Sequence, residues 1–199
     1  VYYVAGIWNI QLPHALLWKT SSTNSRPPVY RAPTWSWSSI EGTIDFQSQH
    51  WHHAYEYTTI ILNIHTEYVK SSWGQVKAGH LLLKAPIRRI KCSRSDMNQD
   101  YALRDQEQKL PIHDDPSGHG IMIKPDEKTR KRTETWGDLH AVLVMRFLDP
   151  AVKSRCIIVL NPLIDREDTF NRVGIMAPMT GQEVAQWFDG IAERAIKIV

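Results

Sequence analysis

The segment Arg31-Ala32-Pro33-Thr34-Trp35-Ser36-Trp37-Ser38-Ser39 constrains this chain more than any other. Two Trp at spacing two put both indoles on one face of an extended strand, with Thr34, Ser36 and Ser38 on the opposite face. Burying that much aromatic area would fix the strand in one register. Pro33 biases Ala32 toward extended backbone, so the strand is entered from a constrained stretch.

The rest of the composition sets bounds. A chain of 199 residues is long enough for one large domain or two small ones. Its formal charge of +3 makes no strong electrostatic case for nucleic acid. No run approaches the roughly 18 apolar residues of a membrane span, and no signal-peptide pattern occurs. Cys92 and Cys156 stand singly on predicted strands; a disulfide between them has no support in the sequence, and reduced thiols of a cytoplasmic protein are the plainer reading. The chain opens inside an apolar run, Val1-Tyr2-Tyr3-Val4-Ala5-Gly6-Ile7-Trp8, which reads as the middle of a longer polypeptide.

Val4, Ile7 and Trp8, followed by Leu12 and Leu16, keep helical spacing and predict two short helices over residues 1–18, broken near Pro13. Thr20 to Pro28 is a polar loop. Strands are predicted over Thr58–Tyr68, with Ile60, Leu62 and Ile64 on one face, and over Gly79–Ala85, continuing through Ile87–Cys92 beyond Pro86. Residues 93–118 read as a long loop and Ile121–Ile123 as a short strand. Further strands fall at Leu139–Leu148, Arg155–Leu160, Phe170–Met176 and Ala195–Val199. Thr180 with Glu183 has capping-box spacing and starts a short helix that Gly190 stops. The predicted fold is α+β, mainly β. Short N-terminal helices precede an antiparallel, curled or barrel-like sheet, with one short helix before the last strand. Residues 1–48 form a helical and Trp-strand segment, and residues 49–199 a β-rich region.

Few residues suggest chemistry. His50 and His52 would share a strand face beside His53, but no spacing assigns a third ligand, and a solvent-facing His-rich loop explains them as well. His113-Asp114-Asp115-Pro116-Ser117-Gly118-His119 has the composition of a turn. Glu41 and Asp45 flank a turn, with no cleft to make them an acid–base pair. The basic run Lys128–Arg132 adjoins Asp126 and Glu127 and reads as a solvated loop. No phosphate loop, nucleophile elbow or zincin helix is present, so neither a catalytic residue nor a cofactor is expected.

Two segments together resemble the fungal heterokaryon incompatibility (HET-domain) proteins. They are Tyr3-Val4-Ala5-Gly6-Ile7-Trp8 with Leu16-Leu17-Trp18, and Tyr30-Arg31-Ala32-Pro33-Thr34-Trp35-Ser36-Trp37-Ser38. In that family a YLAGLW…LLW segment precedes a YRAPSWSWAS segment; here Val4, Ile7, Thr34 and Ser38 are conservative departures. The similarity is strong over about the first fifth to quarter of the chain. It is weaker afterwards, at Gly79–Ala85 and at Arg172-Val173-Gly174-Ile175. The family's SYCWG-like block would lie upstream of Val1.

The resemblance implies a non-catalytic C-terminal region that supports or regulates an upstream HET domain in non-self recognition and regulated cell death. It implies no membrane or nucleic-acid partner, and a docking or structural role for Ile7, Trp8, Leu16, Trp18, Trp35 and Trp37. On that reading the faces of Ile7, Trp8, Leu16 and Trp18 are incompletely covered in this chain alone. Two other readings compete. One is a ligand- or partner-binding β module, with another protein as a candidate partner, that uses exposed aromatics such as Trp51, Trp73 and Trp136. The other is a metal-dependent enzyme built on His50, His52 and a carboxylate.

Overall fold

The computed structural model describes residues 1–20, 25–46, 53–71, 74–94, 101–105, 123–125, 138–149, 151, 155–179 and 186–199. It opens on a hairpin of β1 (Tyr3–Val4) and β2 (Ile7–Trp8). Ala5 and Gly6 both carry positive φ, 47° and 91°, the backbone of a two-residue turn whose twist matches paired strands. The predicted N-terminal helices are therefore absent. Val4 and Ile7, three apart, meet as cross-strand partners, and this pairing produced the helix-like spacing. Past the hairpin the backbone makes only short 3₁₀ turns, at Asn9–Gln11 and His14–Leu17. β3 (Trp18–Thr20) then pairs with β4 (Ile44–Phe46).

The Trp segment is not a strand either. Pro33–Ser36 turns, with Ser36 N–H donating to Pro33 O at 3.0 Å, and a 3₁₀ turn follows at Trp37–Ser39. The Ser36 side chain accepts from Ser38 N–H, and Ser39 Oγ donates to Ser36 O at 2.7 Å. Ser hydroxyls satisfy the local backbone here in place of a sheet ladder. The two indoles consequently part company: Trp35 is wholly buried and Trp37 half-buried.

The remaining strands are β5 (Tyr55–Tyr57), β6 (Ile60–Tyr68), β7 (Val76–Arg94), β8 (Tyr101–Asp105), β9 (Ile123–Pro125), β10 (Asp138–Phe147), β11 (Arg155–Pro162), β12 (Thr169–Met179) and β13 (Glu193–Ile198). Five of them, in the order β7, β10, β11, β12 and β13, close into a barrel. The predicted curled sheet is thus a closed one. Its neighbours are antiparallel except β12 and β13, which run parallel and so depart from an all-antiparallel sheet. β8 lies within the predicted loop over 93–118; of the predicted strand at Ile121–Ile123, Ile123 begins β9, and Ile121 and Met122 lie outside the described residues. Of the predicted helix near 180–190, Thr180–Ala185 lie outside the described residues. Gln186 is helical, and the backbone then turns through Trp187 to Gly190, at φ 74°.

β7 is one strand of 19 residues, and it changes partners at Pro86. Before it, β7 pairs with β6 as far as Lys84; beyond it, with β10 from Ile87. Strand tilt is steep. Leu81 faces Ile198, Ile198 faces Phe170, and Phe170 faces Pro162. Along β11, Leu160 faces His140, and Asp138 faces Lys91, so a circuit begun at Leu81 returns to β7 a long way along the strand.

Side chains at period two on β7 (Leu81, Leu83, Ala85, Ile87) join Val142, Val144, Ile158, Leu160, Ile196 and Ile198 in the main core. Val4, Ile7, Leu16, Leu17 and Trp35 belong to the same core, so the N-terminal segment and the barrel share one interior. The unbroken apolar runs of β10 and β11 are buried on both faces. Their second face, with Leu139, Ala141, Leu143, Ile157 and Val159, lies under Trp187 and Phe188. On β6 the expected face is altered. A register shift between Ile61 and Asn63 leaves Ile60 and Leu62 exposed and turns Ile61 and Ile64 to the core.

Candidate functional site: the tryptophan junction and its pocket

The two segments that carry the family resemblance grip one another. Ser36 Oγ donates to Ala5 O, and the Trp37 indole N–H donates to Gly6 O at 2.8 Å. A Cβ on Gly6 would overlap Ser38 Oγ and press on the Trp37 ring, so the hairpin tip admits only glycine at this approach. The Trp18 indole N–H donates to Trp35 O at 3.0 Å. From this junction Thr34 reaches the barrel. Its N–H donates to Val199 O at 3.0 Å, and its Oγ accepts from Arg172 N–H at 2.9 Å. Arg26 bridges the same elements through Ser39 Oγ at 2.9 Å and Arg172 O at 3.0 Å. Pro33 packs over Gly79 of β7, where an added Cβ would come within 2.8 Å of its ring.

Arg172 is wholly buried. It donates to Trp18 O at 2.6 Å, and its guanidinium lies 3.6 Å over the Trp18 ring. A planar cation that stacks and bonds at once suits this position in a way an ammonium does not. Sequence reasoning missed Arg172, Arg26 and Thr34 as parts of one assembly. The available signal was the Thr34, Ser36, Ser38 alternation, placed on the face opposite the indoles; of these, Thr34 and Ser36 are the fasteners.

Of the six residues expected to dock or support, Ile7, Leu16, Trp18 and Trp35 are buried by the chain itself. The expectation that the faces of Ile7, Leu16 and Trp18 stand uncovered is therefore corrected. Their partners are this chain's own barrel residues and Arg172. Trp8 alone remains exposed, at 39%, on a hairpin that also exposes Tyr2 and Ile10.

A pocket of about 300 Å³ opens beside the junction, with the hairpin tip, the Arg31–Ser38 segment and the start of β7 around it. Half-buried Tyr3, Trp37 and Tyr68 supply aromatic walls, and Val76 and Ala32 supply apolar surface. Arg31 stands at it, held by Nε to Ser38 O and Nη2 to Ile40 O, each at 2.6 Å. A second hollow, of about 310 Å³, lies against β10 and β11 and mixes Arg146 and Arg155 with Glu56, Asp189 and Glu193. There burial and the Arg146 charge lower the Arg155 pKa against the pull of Asp189 and Glu56, and Arg146 pairs with Glu56. Burial first, then Tyr55, pushes Tyr57 up to about 12.

His140 shares the barrel-facing side of β10 with Val142 and Val144 and sets its ring 5.0 Å from Phe170. Its Nδ1 is buried without a hydrogen-bond partner among the described residues. Burial, then Arg89 and Arg194, lowers its pKa, while Asp138 and Asp168 oppose this; each aspartate pairs with one of those arginines.

The other titratable candidates disperse. His53 meets Asp149 at 2.9 Å, His65 stacks on His80 at 5.1 Å, and Asp45 pairs with Lys19 at 2.9 Å. The Glu41 backbone bridges to Ser25. No group of three or more potential metal ligands occurs among the described residues. His50, His52, His113, Asp114, Asp115, His119, the 128–132 basic run, Trp51, Trp73 and Trp136 lie outside them. No helix among the described residues is long and apolar enough to cross a membrane. Compared with protein families, curated proteins and solved structures, the chain finds no match.

Proposed function

We propose that this chain is a non-catalytic β-barrel region of a fungal heterokaryon incompatibility protein, supporting or regulating a HET domain in non-self recognition. One observation carries the reading. The two segments on which the family resemblance rests are spatial partners, joined through Ser36 to Ala5 and Trp37 to Gly6. A motif pair that recurs in this order therefore has a physical reason here: each half satisfies polar groups of the other in a largely buried setting. The hairpin so anchored presents Tyr2, Trp8 and Ile10 outward, and this is where a HET domain would rest.

The test is retention of the chain on an immobilised fungal HET domain, wild type against Trp8→Ser and Ile10→Ser. Retention of the wild type and its loss in both variants, at unchanged melting temperature, is the expected result. No retention of the wild type would count against the reading.

A further inference from the structure

We propose that the pocket beside the tryptophan junction binds a small planar aromatic acid, its ring against Trp37, Tyr3 and Tyr68 and its carboxylate on Arg31. The size fits: about 300 Å³ is at the lower end of small-molecule sites and suits one bicyclic ring with a short substituent.

The chemistry of the lining selects the class. Two polar atoms of the aromatic walls are already committed, the Trp37 indole N–H to Gly6 O at 2.8 Å and the Tyr68 hydroxyl to Tyr3 O at 3.1 Å. What these rings offer a ligand is π surface, which favours a flat apolar group. Among the described residues of the lining Arg31 is the charged one, and no carboxylate stands with it there. Two of its N–H groups are spent on Ser38 O and Ile40 O, which hold the guanidinium in place; the rest have no partner among the described residues. A preorganised, exposed guanidinium next to aromatic faces matches a carboxylate attached to a ring. The second hollow lacks this selectivity, because its two arginines face three carboxylates.

Several wall residues are tied by hydrogen bonds. Gly6 and Ala5 are fixed by the junction, and Gln75 bonds through its side chain to Tyr30 O at 3.4 Å. Binding then needs little ordering of the protein, which favours affinity.

The test uses indole-3-acetate, indole and tryptamine, which share a ring and differ in charge. Each is titrated into the full chain while the indole N–H resonance of Trp37, assigned with Trp37→Phe, is followed. Indole-3-acetate is expected to shift that resonance saturably, binding about tenfold tighter than tryptamine, with indole between them. Arg31→Gln abolishes the preference and Arg31→Lys keeps part of it. The wild-type ranking stands without either variant, so misfolding of one leaves the test intact. Tryptamine binding as tightly as indole-3-acetate overturns the proposal. So does an unmoved Trp37 resonance at millimolar indole-3-acetate, or a shift that reports another tryptophan instead.

Discussion

The guanidinium of Arg172 lies 3.6 Å over the ring of Trp18, and both side chains are completely buried. Arg172 belongs to β12 of the barrel and Trp18 to β3 of the N-terminal segment, so this stack fastens one to the other. Replacing Arg172 with Ala removes the stack, the bond to Trp18 O and a large buried volume. The expected loss is about 3 kcal/mol or more. Lys in its place cannot stack flat and bond Trp18 O together, and is expected to cost about 1–3 kcal/mol. Urea denaturation measures both; a loss below about 1 kcal/mol for the alanine variant would contradict this assignment.

Gly6 makes a second, local prediction. It sits at φ 91°, and a Cβ there meets Ser38 and Trp37. Gly6→Ala therefore combines backbone strain with displacement of the Trp37 contact, and is expected to destabilise by about 2 kcal/mol. Gly190 also has positive φ, 74°, but open space around it, so Gly190→Ala is expected to cost only the backbone part, about 1 kcal/mol. Thermal unfolding of the two variants separates the terms, and equal losses would show that the close approach at Gly6 contributes nothing.

The N-terminal third shows where sequence periodicity misleads. Val4 and Ile7 are three apart because a two-residue turn separates cross-strand partners, and three is also a helical spacing. The Ala5–Gly6 turn could have been read from Gly6 alone only weakly, since Ala rarely adopts positive φ. Alternating Thr, Ser and Trp likewise mimicked a strand until Ser36 and Ser39 bonded the local backbone. Around the barrel the long apolar runs of β10 and β11 and the alternation on β7 were legible, because burial on one or both faces dictates those patterns. Closure between β7 and β10, the parallel β12–β13 pair and the Arg172–Trp18 contact depend on residues far apart in the chain, and no local pattern encodes them.

His140 predicts a pH dependence. Its pKa is lowered in the folded chain, chiefly by burial and then by Arg89 and Arg194. As pH falls through about 6.5 the unfolded chain takes up a proton that the folded chain resists, so stability falls on the acid side. The contribution is intact above that pH and is lost progressively below it. His14 and His80, lowered mainly by burial, add to the same slope, so the difference between proteins is the readout. His140→Gln is expected to show a shallower decline in urea midpoint than wild type between about pH 7 and about pH 5. Identical slopes would mean that His140 titrates alike folded and unfolded.

Cys156 is buried in β11, and burial pushes its thiol up to about 12. The thiolate is the reactive form, so this thiol is expected to be inert in the native protein. In a Cys92→Ser background, labelling by a thiol reagent should proceed only at the rate of unfolding. Fast labelling under native conditions would show that β11 opens locally.

The bonds from Thr34 to Val199 and Arg172 and the shared interior make the tryptophan junction and the barrel one cooperative unit. Native-state hydrogen exchange tests it most directly, comparing Thr34 N–H, bonded to Val199 O, and Ser39 N–H, bonded to Ser36 O, with Ile158 N–H in the barrel core. All three are expected to exchange through the same global opening and to respond equally to small additions of denaturant. Faster exchange of Thr34 and Ser39, insensitive to denaturant while Ile158 stays protected, would show that the N-terminal segment detaches by itself and that the two are not one unit.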